Sequence, residues 1–244
     1  MSVDAVSDHP RIISLRVGLP KEYGTPGATE PMQRPWRTGF IKYAVQGPIF
    51  LGRTNLVGDG QADLRFHGGP DKAVCVYPKV RYPYWRERLE RELPFGSFGE
   101  NFTVSGLDEQ SVCIGDIFQV GGALVEVSQP RSPCWKLARR WGEKELAIWV
   151  QQTGFTGWYL RVLEEGEVAC GQALRLRERP HPEWTILRAN AVRYDNDRDL
   201  EDAAALGNLS ALGESWSTKL LLAAKRQLSS DESARLIGRN EDKP

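Results

Sequence analysis

The chain has 244 residues, of which 41% are hydrophobic and 26% are charged, enough for one or two domains with a buried core. Basic and acidic residues number 32 each, so no net positive field attracts a nucleic acid polymer or an anionic membrane. The N-terminus lacks the basic and apolar segments of a signal peptide, and no run of eighteen apolar residues occurs. We therefore expect a cytoplasmic protein.

The first part of the chain, from residue 11 to about residue 179, consists mostly of short β-like runs separated by turn residues. Gly121 and Gly122 stand between two of these runs, which predicts a two-residue hairpin. The predicted strands lie in RIISLRVG, GFIKYAV, PIFLGR, AVCVY, NFTV, IFQVGGALVEVSQ, WYLRVLE and ALRLRER. This pattern predicts a strand-rich, barrel-like domain.

Two helices are predicted within this part. Apolar residues recur at near-helical spacing between Tyr77 and Leu89, with Pro83 as a local disturbance. The segment KELAIWVQQTG has a glycine directly after its last turn, which is typical of a helix end. We expect both helices to cover the sheet.

The segment RERPHPEW, residues 177–184, contains two prolines and a charge run and is typical of a linker. Beyond it the pattern is helical. TILRANAVRYDN, RDLEDAAALGN, ESWSTKLLLAAKRQL and DESARLIG predict three or four short helices. The sequence therefore predicts two domains, a mainly β domain at 1–179 and a small helical domain at 180–244 that packs against the first.

Four cysteines, Cys75, Cys113, Cys134 and Cys170, lie far apart without a CxxC pair. This excludes sequence-local zinc and iron–sulfur motifs, and we expect reduced thiols. Cys75 and Cys113 alternate with apolar residues and are interpreted as small core side chains.

Cys134 differs because Pro130 and Pro133 stiffen its loop and remove two backbone donors. Arg131 and Lys136 nearby favour a thiolate, the form that attacks electrophiles or binds a soft metal. A buried loop cysteine without a chemical role is the alternative.

Two further segments are rich in glycine. His67 precedes Gly68 and Gly69, where a backbone without side chains can lie against a planar or phosphorylated ligand, but a structural histidine in a turn explains the pattern equally well. Asn101 follows the glycines of PFGSFGENF and gains a functional interpretation only if it faces the same cavity as Cys134. Neither GxGxxG, GxxxxGK[ST] nor GxSxG occurs.

Five segments between residues 36 and 137 carry a family resemblance: WRTGFIK, GDGQADLRFHGGPDKAVCVYP, FGENF, CIGDIF and VSQPRSPCWKL. In this order they resemble the MOSC domain family, the C-terminal domain of molybdenum cofactor sulfurases. Within it the chain is similar to the YiiM-like bacterial branch, in which a three-helix domain follows. The resemblance implies a mainly β fold, a MOSC-type β-barrel with peripheral helices, followed by a small all-α domain.

The resemblance also implies binding of molybdenum cofactor, a molybdopterin dithiolene with a phosphate. The family cysteine corresponds to Cys134, which we expect to ligate molybdenum because a thiolate suits a soft metal. Cys134, His67 and Asn101 are the expected catalytic residues, with His67 as a proton relay. The expected cofactor-binding residues are Thr38, Lys42, His67, Gly68, Gly69, Asn101, Arg131, Ser132 and Cys134.

YiiM-like proteins are associated with reducing N-hydroxylated bases, so the expected reaction is a two-electron reduction of N-hydroxylated purines or amidoxime-like compounds. The expected partners are the small-molecule substrate and a separate electron-donating reductase, for which a flavoprotein is expected, because no flavin, haem or cluster motif occurs. A homo-oligomer is left open. Two alternatives remain: a non-catalytic carrier of molybdenum cofactor or of sulfur as a persulfide, and a cysteine hydrolase, for which no His–Asp pair stands in a recognisable context.

Overall fold

The computed structural model describes residues 9–195, 197, 199–225 and 232–241. Its strands in chain order are β1 (Arg11–Val17), β2 (Lys21–Tyr23), β3 (Trp36–Thr38), β4 (Tyr43–Ala44), β5 (Ile49–Leu51), β6 (Val74–Pro78), β7 (Phe102–Ser105), β8 (Ile117–Val120), β9 (Ala123–Pro130), β10 (Trp158–Glu164), β11 (Gly166–Val168) and β12 (Leu174–Glu178). Its helices are α1 (Tyr82–Leu89), α2 (Lys136–Trp141), α3 (Leu146–Thr153), α4 (Ile186–Tyr194), α5 (Leu200–Gly207), α6 (Glu214–Ala224) and α7 (Ser233–Leu236).

The main sheet has eight strands in the order β12-β8-β9-β10-β6-β7-β1-β4. All neighbours are antiparallel except β6 and β7, which are parallel. The sheet curls so that the start of β1 meets the start of β12, where Leu174 N donates to Pro10 O at 2.8 Å and Ile12 N donates to Gln172 O at 3.0 Å. The barrel-like fold predicted from the sequence is thereby confirmed.

The predicted hairpin is present between β8 and β9. Val120 pairs with Ala123, and Gly121 adopts a φ of 55°, which favours glycine in a tight turn. From Ala123 to Val127 buried and partly buried residues of β9 alternate, as expected for a strand with one face on a core, and the rest of the strand is buried on both faces. The hairpin leads the chain straight into the loop that contains Cys134.

The interior of the sheet and the C-terminal helices form one hydrophobic core. Val125 of β9 and Leu160 of β10 belong to the same cluster as Ala189, Leu206 and Trp216 of α4, α5 and α6. A second, aromatic-rich cluster lies under α1, α2 and α3. The helices therefore pack against the sheet, as the sequence predicts.

Several local predictions differ from the structure. The predicted strand at 39–45 is reduced to β4, and β2, β3, β11 and α2 were not predicted. The helical spacing from Tyr77 begins too early, because Tyr77 lies in β6 and α1 begins at Tyr82. Pro83 lies in the first turn of α1 and does not disturb it, since the amide of this position has no helical partner.

The predicted C-terminal helices are present as α4 to α7. Residues 196, 198, 226–228 and 231 of the predicted segments lie outside the described residues. Thr185 caps α4 by accepting a hydrogen bond from Arg188 N at 3.1 Å. Among the described residues, no helix is long and apolar enough to span a membrane.

Candidate active site

A cleft of about 70 Å³ lies where β3, β6, β9 and β10 meet the turn at 59–68. Of the nine predicted cofactor-binding residues, the cleft brings together eight, and Gly69 does not line it. Its lining is Thr38, Gly39, Phe40, Lys42, Asp59, Gly60, Gln61, Ala62, His67, Gly68, Lys72, Cys75, Gly99, Asn101, Arg131, Ser132, Cys134, Lys136 and Tyr159.

Cys134 lies in a loop that is fixed at both ends. Its side chain is buried but lines the cleft, and its carbonyl accepts a hydrogen bond from Leu137 N at 3.0 Å. Arg235 donates to Pro133 O, and Trp135 N donates to Arg235 O at 2.9 Å. The C-terminal segment therefore adds to the stiffness that the prolines give the loop.

Arg131 is a buried cation with a free donor. It is 4% exposed, its backbone N donates to Gly157 O at 3.1 Å, and its guanidinium lies 5.7 Å from the Phe40 ring. Its Nη1 atom has no hydrogen-bond partner among the residues that the structure describes. Because a buried donor without an acceptor is costly, this nitrogen is suited to an anionic ligand.

The cleft carries a surplus of positive charge. Lys42, Lys72, Arg131 and Lys136 line it, whereas Asp59 is the one carboxylate among the described lining residues. Asp59 is already engaged, because it forms a buried ion pair with Lys42 and accepts from Gly18 N at 2.8 Å. Three cations are left without an acidic lining partner, so the cleft attracts anions.

His67 is held neutral by its surroundings. Burial, followed by the charges of Lys136, Lys72 and Arg131, lowers the pKa of His67 to about 3. At neutral pH the imidazole therefore carries no charge. It can accept and donate hydrogen bonds in the cleft but does not offer the acidic proton of an imidazolium.

Asn101 lines the cleft, but both ends of its amide bond to the backbone. Its Oδ1 accepts from Cys75 N at 3.0 Å, and its Nδ2 donates to Arg16 O at 3.1 Å. The neighbouring Glu100 is fully buried and accepts from Tyr82, Thr103 and two backbone amides. In this geometry Asn101 shapes the wall of the cleft by linking β6 to β1 at the start of β7, the strand that lies between them.

The hydroxyl groups predicted to contact a cofactor also have protein partners. Thr38 Oγ1 accepts from Phe40 N at 3.0 Å. Ser132 Oγ lies 2.9 Å from the hydroxyl of Tyr194 on α4. Since a hydroxyl has one donor and two acceptor positions, each of these groups keeps capacity for at least one further hydrogen bond.

The sequence analysis did not select Lys72, Tyr159 and Cys75 for the site. Lys72 stands inside HGGPDKAV and could have been found there, but Tyr159 has no local signal because it reaches the cleft only through the pairing of β10 with β6. Burial raises the pKa of Cys75 to about 11 and also raises that of Tyr159. Both are therefore protonated at neutral pH, and Cys75 is buried as predicted while also lining the cleft.

Two properties bear on what the cleft can hold. Gln61 Oε1 is buried without a partner among the described residues, so the cleft offers a free acceptor as well as the free donor of Arg131. The described residues contain no cluster of three or more histidine, cysteine or acidic side chains that could hold a metal ion. A metal here would take Cys134 as one ligand and the rest from a bound group.

Comparisons with known proteins agree with this architecture. The family model of the MOSC domain matches residues 63–175. YflK of Bacillus subtilis is 45% identical over 217 residues, which cover 89% of this chain and 96% of that protein. YiiM of Escherichia coli is 39% identical over 208 residues, covering 83% of this chain and 91% of that protein.

The crystal structure of YiiM from Geobacillus stearothermophilus superposes with a TM-score of 0.73 at 36% identity, covering 90% of this chain and all of that one. A protein of Gibberella moniliformis named reductase is 38% identical over 159 residues, which cover 64% of this chain and 28% of that longer protein. The fold and the cleft thus define a MOSC domain protein. Within that family the chain belongs with the YiiM-like proteins.

Proposed function

We propose that the protein is a reductase of N-hydroxylated compounds that works with molybdenum cofactor bound in the cleft at Cys134. The observation that carries this proposal is the combination of a cleft thiol with a buried, unpartnered guanidinium nitrogen on Arg131. The MOSC domain is a molybdenum cofactor-binding domain family, and one relative is named a reductase. These comparisons support the class of chemistry.

The residues of the cleft fit such a cofactor. A phosphate requires cationic donors, which Arg131 and Lys136 supply, and the N–H groups of a pterin require an acceptor such as Gln61 Oε1. Cys134 would be the protein ligand of molybdenum, since a thiolate suits a soft metal. Gly68 lines the cleft with a φ of 81°, a conformation that favours glycine, so no side chain projects from this position.

The proposed reaction is R–NHOH + 2 e⁻ + 2 H⁺ → R–NH2 + H2O, in which the N–O bond breaks and the oxygen leaves as water. The bound cofactor supplies the two-electron removal of oxygen. The protein holds that group through Cys134 and orients the substrate in the cleft. His67, being neutral, hydrogen-bonds the substrate or relays a proton without a stable charge.

Electrons must come from outside the chain in this proposal. The sequence carries no motif for a flavin, haem or cluster, so the expected donor is a separate flavoprotein reductase. NADH or NADPH alone should then give negligible turnover, and added reductase should restore it.

The test uses protein made in cofactor-competent cells and reduced by an artificial donor such as reduced viologen. Wild-type protein should convert an N-hydroxylated purine or amidoxime to its amino product. Cys134→Ser should abolish turnover with an unchanged unfolding midpoint, because one loop sulfur adds little to the core. Cys170→Ser is the matched control, since Cys170 is exposed and outside the cleft.

X-ray absorption at the molybdenum edge gives the second readout. Cys134→Ser should show one sulfur ligand fewer than wild type, whereas identical sulfur coordination would remove the ligand assignment. If holo protein reduces none of a panel of N-hydroxylated substrates but transfers its cofactor to an apo molybdoenzyme, the protein is a cofactor carrier and not a reductase.

A further inference from the structure

A second group of cations lies beside the cleft, where the C-terminal helices pack. Arg193 of α4, Lys219 of α6 and Arg235 of α7 share the carboxylate of Glu232 at N–O distances of 3.3, 3.7 and 2.7 Å. One carboxylate thus faces three cations. Each nitrogen of the Arg235 guanidinium has an acceptor, because Arg235 also donates to Pro133 O and Gln151. Two nitrogens of Arg193 have none among the described residues.

Three buried donors in this group have no acceptor among the described residues: Arg193 Nε, Arg193 Nη1 and Trp216 Nε1. Arg193 is 5% exposed and its guanidinium lies 4.5 Å from the Trp216 ring. Buried donors without acceptors are costly. A water molecule could accept such bonds, but it would leave the surplus positive charge uncompensated, whereas an anion would satisfy both.

This group is continuous with the cleft. Lys72 lines the cleft. Its neighbour Asp71 accepts a hydrogen bond at 3.0 Å from the backbone N of Glu214, the first residue of α6, so Lys72 lies near the start of the helix that carries Lys219. Burial lowers the pKa of Lys72, and the charges of Lys219 and Arg193 lower it further against the opposing charge of Asp71. Tyr194, which follows Arg193 in α4, reaches Ser132 of the cleft at 2.9 Å. The Lys219 side chain is 48% exposed, so an anion attached to a molecule in the cleft can approach it from solvent.

We propose that Lys72, Arg193 and Lys219 form a subsite for the phosphate monoester of a nucleotide whose N-hydroxylated base occupies the cleft. A phosphate monoester fits better than a carboxylate, because it offers three terminal oxygens and nearly two negative charges to donors on three different elements. The identity of the base rests on the proposed function. The phosphate subsite does not.

The first experiment is calorimetric titration of the apo protein with inorganic phosphate, adenosine 5′-monophosphate and adenosine. Lys219→Gln should weaken phosphate and monophosphate binding about tenfold, the loss expected for one charged contact, and leave adenosine unaffected. Lys225→Gln is the matched control, since it removes an exposed ammonium from the end of the same helix. Equal phosphate affinity in wild type, Lys219→Gln and Lys225→Gln would overturn the proposal.

The cleft itself also attracts phosphate, so the effect must be separated from Arg131. Lys219→Gln should weaken phosphate binding by the same factor in an Arg131→Ala background, because two distinct sites contribute independently. If Lys219→Gln no longer weakens phosphate binding in the Arg131→Ala protein, Lys219 and Arg131 bind the same phosphate. That result would overturn the proposal of a separate subsite.

Measurements on holo protein show whether the subsite binds the phosphate of a substrate nucleotide or the phosphate of the cofactor. Lys219→Gln should keep wild-type cofactor content, raise the KM for an N-hydroxylated nucleotide about tenfold and leave the KM for the corresponding nucleoside unchanged. A fall in cofactor content with unchanged KM values would assign the subsite to the phosphate of the cofactor and overturn the nucleotide assignment. Absence of turnover with every substrate in wild type would contradict the reductase function alone, since phosphate binding is measured without it.

Discussion

At the residue scale, substitutions of Arg131 test whether its side chain binds the cofactor or only supports the fold. Its Nη1 donor has no partner among the described residues, so Arg131→Ala should lower cofactor occupancy in protein made in cofactor-competent cells. Loss of a charged hydrogen bond costs about 1.5 to 3 kcal/mol, or roughly ten- to hundredfold in affinity. Arg131→Lys should retain part of the occupancy, because it keeps the charge but not the planar fork. Equal molybdenum and pterin content in all three proteins would assign Arg131 a structural role.

His67 makes the folded protein sensitive to acid. The pKa of His67 is about 3 in the folded state, against an ordinary value of 6.5, chiefly because the half-buried imidazole loses hydration on folding. Between these values the unfolded chain binds more protons, so stability is lost as the pH falls below 6.5, by up to about 1.4 kcal/mol per pH unit. His67→Gln should flatten this dependence.

The measurement is the free energy of unfolding in urea at pH 7, 6 and 5. His9→Gln is the control, because His9 is exposed and its replacement should leave the pH dependence unchanged. An equal slope in wild type and His67→Gln would show that folding does not hold the half-buried His67 imidazole neutral.

At the element scale, the C-terminal segment holds the loop of the candidate active site. Asn240 is 2% exposed, and its Nδ2 donates to Trp135 O at 3.0 Å while its Oδ1 accepts from Arg139 Nε at 3.2 Å. Asn240→Ala removes both bonds and should destabilise the protein by about 2 kcal/mol. The loosened loop should also raise the alkylation rate of Cys134 several-fold.

Mass spectrometry after iodoacetamide treatment measures that rate at each cysteine separately. Asn208→Ala is the matched control, because Asn208 bonds within α5 on the surface and should not change Cys134 reactivity. Equal Cys134 alkylation in wild type and Asn240→Ala would show that the loop is held without the C-terminal segment.

The elements predicted from the sequence are those whose signal is local. Gly121 and Gly122 predict the hairpin, and alternation predicts β9, because both depend on neighbouring residues alone. Helix α2 was not predicted because it has six residues and begins three positions after Pro133, and propensity carries little information over so short a span. Tyr159 joins the site only through a long-range strand pairing, which one sequence does not encode locally.

At the scale of the whole molecule, the C-terminal helices and the sheet depend on each other. Trp184 O accepts from Ile114 N at 2.9 Å, and Gly213 N donates to Ser128 O at 2.8 Å, so backbone bonds join the two parts. They also share one hydrophobic core. The boundary predicted between residues 179 and 180 marks the change from a strand pattern to a helical pattern in the sequence. Unfolding experiments test whether the two parts also fold separately.

We expect the full chain to unfold in one cooperative step, because a shared core couples the helices to the sheet. Tryptophan fluorescence and far-ultraviolet circular dichroism should give the same midpoint in urea, and calorimetric and van't Hoff enthalpies should agree. A chain that ends at residue 179 should lack a cooperative transition, since it exposes sheet residues that Leu206 and Trp216 cover. Two separate transitions in the full chain, with the earlier one absent from the shortened chain, would establish the helices as an independent domain.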